Sequence, residues 1–138
     1  MNIYRAGIFL LPAIVLLMIS SCAHLRTEPC SEKALLKRIN KEWESKINHD
    51  WEAVYNLFTD GVKKKISKNS FIRGANVNVQ SFSVEDITID ESCAKATARI
   101  KYRLKQRGFD FDFTTKEKWL KENGEWFLEH HIGFPVSK

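Results

Sequence analysis

Glu117, His130, Thr115 and Tyr102 are the residues of this chain whose types and spacing could do chemistry. If Glu117 and His130 oppose each other across an antiparallel pair, their Cβ atoms stand about 4.5 to 5.5 Å apart and a carboxylate–imidazole hydrogen bond is within reach. In a water-poor pocket walled by Trp119, that pair would act as a general base and its orienting partner, with the Tyr102 hydroxyl donating to a developing oxyanion. The structural alternative is the favoured one: the same pair neutralises itself at a sheet rim or reaches solvent, since structural ion pairs perturb pKa values as catalytic ones do. Other chemistries lack their residues. His130 and His131 are adjacent and so point to opposite faces of a strand, and His24 and His49 have no ligand-spaced company. The chain has no Cys-x-x-Cys and no phosphate-cradling glycine loop, and no serine or cysteine nucleophile is visible beside a base. Neither a metal nor a cofactor is expected.

The elements that must position these residues lie between Cys93 and Ile132. From Ala94 to Lys105 even positions are apolar or aromatic and odd positions polar, a period of two that buries one face. A turn at Arg107-Gly108 sets Lys105 opposite Asp110, Leu104 opposite Phe111, Arg103 opposite Asp112 and Tyr102 opposite Phe113, so that base meets acid and apolar meets apolar. Asn123-Gly124 is a type I′ hairpin signal, and it sets Trp119 opposite Leu128, Lys118 opposite Glu129 and Glu117 opposite His130. The first strand, Val79 to Asp90, changes phase between Val84 and Ile87, which a bulge near Glu85-Asp86 reconciles with one buried face. A turn at Glu91-Ser92 then brings Ile89 to Ala94 and Ile87 to Ala96. On the outer face, Lys95, Arg99, Lys101, Arg103, Lys105, Lys116 and Lys118 form a basic stripe, partly neutralised by Asp110, Asp112 and Glu129. Leu120 and Phe127 make an apolar spot beside it. Arg99, Lys101, Leu120 and Phe127 are the expected outer binding surface.

Helices precede the sheet. Ser31 caps a first helix whose stripe is Leu36, Ile39, Trp43 and Ile47, with Lys37, Lys41, Glu44 and Lys46 facing away. Asp50 caps a second carrying Trp51, Val54, Tyr55 and Phe58, stopped by Asp60-Gly61, and Ser67 caps a short third that ends at Gly74. Between them runs Lys63-Lys64-Lys65, a solvated surface or an attraction to anionic lipid. The predicted architecture is α+β, with N-terminal helices packed on a curved four-stranded antiparallel meander.

The first 21 residues contain Arg5, an apolar run from Ile8 to Ile19 and no acidic residue, a signal-peptide pattern too short for a spanning helix. Ile19-Ser20-Ser21-Cys22 resembles the lipobox of bacterial lipoproteins, which implies cleavage before Cys22, acylation of that cysteine with fatty chains such as palmitate, and a place in the cell envelope. Ala23 follows where an inner-membrane retention signal would have aspartate, so an outer membrane facing the periplasm is expected in a cell with two membranes. Residues 22–30 form a tether spanning at most about 25 to 30 Å, and 31–138 form one domain. Loss of residues 1–21 removes a single base from a formal charge of +5. That mild excess does not call for nucleic acid. Cys30 and Cys93 either bridge, closing a loop that would contribute about 4 kcal/mol, or remain free thiols.

Three helices followed by a bent antiparallel sheet that closes with Trp119, Asn123-Gly124 and Gly124-Glu125-Trp126 resemble the nuclear transport factor 2-like superfamily over about residues 31 to 134. The resemblance implies a cone in which the sheet wraps the first helix and leaves a pocket, here lined by Tyr102, Thr115, Glu117, Trp119 and His130. It admits isomerases, dehydratases and cyclases as well as binding and assembly modules. The stretch from Trp51 to Phe71, with Tyr55 and Lys65-Ile66-Ser67, is also similar to non-catalytic N-terminal domains of some penicillin-binding proteins. The expected function is a membrane-anchored, non-catalytic ligand-binding or assembly module. One alternative is a small-molecule isomerase, dehydratase or hydrolase using Glu117 and His130. The other is docking to an envelope protein, or homodimerisation, through the outer sheet face.

Overall fold

The computed structural model describes residues 30–132, with the backbone alone at 130–132. The expected signal peptide, the lipidation site Cys22 and the tether up to residue 29 lie outside the described residues. Helices α1 (Glu32–Ile47), α2 (Trp51–Asn56), α3 (Asp60–Lys63) and α4 (Lys68–Gly74) precede strands β1 (Val79–Ile89), β2 (Lys95–Gln106), β3 (Phe109–Glu122) and β4 (Glu125–Ile132). The strands form one antiparallel meander in the order β1-β2-β3-β4. The α+β architecture is the predicted one.

Each helix begins where a short polar side chain accepts a backbone N–H. Ser31 accepts from Ala34, Asp50 from Ala53 and Ser67 from Ser70. Thr59 accepts from Val62 and starts α3, a fourth helix where the sequence suggested only a stop at Asp60-Gly61. The buried stripe of α1 keeps the expected Ile39 and Trp43 but is completed by Leu35, Glu42 and Lys46, with Leu36 and Ile47 only half-buried. Lys46, expected in solvent, is 2% exposed.

The β2–β3 register matches the predicted pairs throughout, and Arg107 and Gly108 both take the positive φ of a type I′ turn, at 50° and 85°. The bulge in β1 falls at Glu85, between Val84 and Asp86. The preceding hairpin differs, because Ile87 pairs with Ala98 and Ile89 with Ala96. The cause is a longer loop in which the Asp90 carboxylate accepts the N–H groups of both Ala94 and Lys95 at 3.0 Å. The two-residue offset preserves which face is buried.

Cys30 and Cys93 form a disulfide with Cα atoms 4.9 Å apart, joining the start of α1 to this loop. The open choice between bridge and free thiols is thereby resolved. At the other side of the sheet, Leu128 donates to the Leu57 carbonyl at 2.7 Å and accepts from Thr59 at 3.0 Å, so the segment after α2 covers the outer edge of β4. Immediately beyond Leu128 the β3–β4 register shifts by one residue. Trp119 still meets Leu128 and Leu120 meets Phe127, but Lys118 now pairs with His130 and Glu117 with His131.

Candidate functional site

The shifted register corrects the expected Glu117–His130 pair. Glu129 is the extra residue of the bulge, so His130 sits at the position opposite Lys118 and His131 at the one opposite Glu117. The sequence pattern around Glu129 carries no turn residue that would have marked this bulge.

Tyr102, Thr115, Glu117 and Trp119 do share the inner face of the sheet, and all four are buried. Their environment is built by α1. Helical spacing places Glu42, Trp43 and Lys46 on one face with Leu35 and Ile39, and that face lies against β2 and β3. The Trp43 indole N–H donates to Glu117 Oε1 at 2.9 Å, and the Trp119 indole N–H donates to Glu117 Oε2 at 3.2 Å. Lys46 forms an ion pair with Glu42 and sits 3.8 Å from Glu117 Oε1. Its ammonium also lies 3.8 Å from the centre of the Trp43 ring, a cation–π contact. Tyr102 packs on the other side of Trp43, with ring centroids 4.8 Å apart.

Burial pushes the Glu117 carboxyl above its ordinary range, opposed by the Lys46 charge and by hydrogen bonds from Trp119, Glu42 and Trp43. Burial, and then the charge of Glu117, push the Tyr102 hydroxyl up as well. Glu117 is 0% exposed and both of its oxygens are engaged, so no water-sized space adjoins it. The arrangement holds a charge cluster inside the cone and ties α1 to β3. Glu42 and Lys46 were missed in the sequence, although a stripe started at Leu35 rather than Leu36 would have found them.

The openings are elsewhere. A shallow groove of about 420 Å³ lies between α1 and the Asn123-Gly124 turn, lined by Lys37, Arg38, Lys41, Glu125 and Trp126. On the outer sheet face Arg99 and Lys101 are exposed, with Arg99 3.4 Å from Glu85. Leu120 and Phe127 oppose each other there, but both are half-buried, and Arg38 and Lys63 stand 5.4 and 5.9 Å from the Phe127 ring centre. The apolar spot expected in the open is thus partly shaded by cations from α1 and α3.

No family model and no curated protein matches the sequence. Solved structures do. A SEC-C motif containing protein from Rhodopseudomonas palustris superposes with a TM-score of 0.60 at 8% identity, covering 71% of this chain and 77% of its own. A nuclear transport factor 2-like protein from Cytophaga hutchinsonii gives 0.53 at 16% identity, over 70% and 90% of the two chains. One of unknown function from Shewanella oneidensis gives 0.52 at 12%, over 72% and 94%. This chain therefore has the nuclear transport factor 2-like fold, and likeness at such identities extends to the fold alone.

Proposed function

We propose that this chain is a lipid-anchored envelope protein whose domain binds or assembles, and that it does not catalyse. One observation carries the non-catalytic half: Trp43, Tyr102, Glu117 and Trp119 fill the cone, each at most 3% exposed. A general base needs hydrogen-bond reach to a substrate proton, and Glu117 already holds two indole donors. The anchor rests on the residues around Cys22. Several acyl chains give durable attachment where one gives marginal binding.

Metabolic labelling with an alkyne palmitate analogue tests the anchor. The chain should take up label and Cys22→Ala should not, whereas an unlabelled parent chain overturns it. For the working surface, the exposed cations of the outer face favour an anionic partner. Anionic phospholipid vesicles should retain the protein at low salt, release it as screening rises, and fail to retain the charge reversals Arg99→Glu and Lys101→Glu. Retention that ignores both salt and charge reversal would exclude this surface.

A further inference from the structure

The three exposed large apolar residues of the described chain all lie in one short stretch, Phe109-Asp110-Phe111-Asp112-Phe113 at the start of β3, at 70%, 44% and 44% exposure. Phe113 stacks on Tyr102 at 5.6 Å and Phe111 follows at 6.4 Å, so the inner aromatic packing runs out into solvent along this strand. The same stretch is a sheet edge. β2 pairs with Phe109–Leu120 of β3, but β4 pairs only with Lys116–Glu122, and among the described residues nothing ladders on the far side of Phe109–Thr114. Sheet edges are ordinarily blunted by bulges, proline, lysine or a covering segment. The β1 edge has two register shifts, and the β4 edge is covered by Leu57–Thr59. Among the described residues the Phe109–Phe113 edge has no bulge, proline, lysine or covering segment, and its two aspartates face cations of β2.

We infer that this edge pairs with the same edge of a second copy, antiparallel and two-fold symmetric about Phe111. A contact across a two-fold axis must be self-complementary, and this stretch reads the same from either end. Such pairing sets Phe111 against its own copy, Phe109 against Phe113 on the inner face, and Asp110 against Asp112 on the outer face. The backbone phase agrees. A two-residue turn closes on a hydrogen-bonded pair, Gln106 with Phe109, so alternate residues Phe111 and Phe113 also point their backbone groups at β2. Asp110 and Asp112 then point theirs outward, where each would exchange N–H···O bonds with the other's copy. The facing carboxylates carry their own countercharges. Arg103 grips Asp112 at 2.7 and 3.1 Å, and Lys105 is the register partner of Asp110. An edge contact of five residues a side is small beside the about 20 to 30 residues a side, roughly 800 Å² per partner, of a standard interface, so the dimer is weak and concentration-dependent. The pairing does not depend on the lipid anchor.

Cysteine cross-linking in the full-length chain tests it. Residues meeting at a non-hydrogen-bonded position have Cα atoms about 4.5 Å apart, within disulfide range. Phe111→Cys should form a covalent dimer under mild oxidation, and co-expressed Phe109→Cys and Phe113→Cys chains should cross-link with one another. Arg107→Cys, equally accessible but roughly 26 Å from its own copy in this arrangement, should not. The proposal is overturned if neither the Phe111→Cys chain nor the mixed pair cross-links, or if Arg107→Cys does so as readily. It is equally overturned if dimers appear only after residues 133–138 are deleted, since the chain's own end would then occupy the edge.

Discussion

Glu117 is the residue on which the chemical and structural readings part. Its side-chain type and strand parity are legible, and they place a carboxylate on an apolar face. What surrounds it is not, because Glu42 and Lys46 arrive from a helix more than 70 positions away in the chain. Burial raises its pKa above the ordinary 4.5, so its contribution to stability is full below that value and fades as pH climbs through the raised one. Glu117→Gln should therefore flatten the fall in stability above pH 4.5, as read from urea midpoints at acid and alkaline pH. An unchanged slope would remove the buried carboxyl as its source. Lys46→Met leaves the Glu42 and Glu117 carboxyls without their shared ammonium, and should destabilise by about 3 to 5 kcal/mol in equilibrium unfolding. A loss below about 1 kcal/mol would mean that the ion pair is solvated.

At the scale of elements, alternation fixed the strand faces as far as Leu128 and both tight turns, and β2–β3 came out pair for pair. Such pairs follow from two local rules, side-chain period and turn chemistry, that agree with each other. The two other hairpins departed from the expected register. In one the Asp90 carboxylate lengthens the loop; in the other the strand steps by a residue just beyond Leu128. The first cause is testable. Hydrogen bonds from Lys95 and Ser92 hold the Asp90 carboxyl below its ordinary value, so its help is present above pH 3.8 and lost as pH falls through the lowered pKa. Asp90→Ala should lower the Tm at neutral pH, and the gap to the parent should close in strong acid. A gap that persists there would assign the effect to loop shape instead of to the carboxylate.

For the molecule as a whole, the Cys30–Cys93 bridge fixes which end receives the N-terminal segment. The bridge sits at the β1–β2 loop, and a strand as long as β2 carries the Arg107-Gly108 turn roughly 40 Å away. The phenylalanine edge therefore lies at the end of the domain far from Cys30. Reduction should cost about 4 kcal/mol through the loop that the bridge closes. The check is the shift of the urea midpoint with reductant, which should match that of Cys30→Ser with Cys93→Ser; a reductant effect that persists in the double variant would place it elsewhere.

By itself the sequence determined the α+β order, three of the four helix caps, the inner and outer faces of the strands as far as Leu128 and the β2–β3 register, because each is set by residues near one another in the chain. Only the tertiary structure decided that the cone is filled, that Lys46 is buried with Glu42 against Glu117, and that Glu117 meets His131 across the ladder. Those outcomes depend on which face α1 turns to the sheet and on the one-residue bulge beyond Leu128. Neither has a local signature, since each is settled by packing between elements distant in the chain.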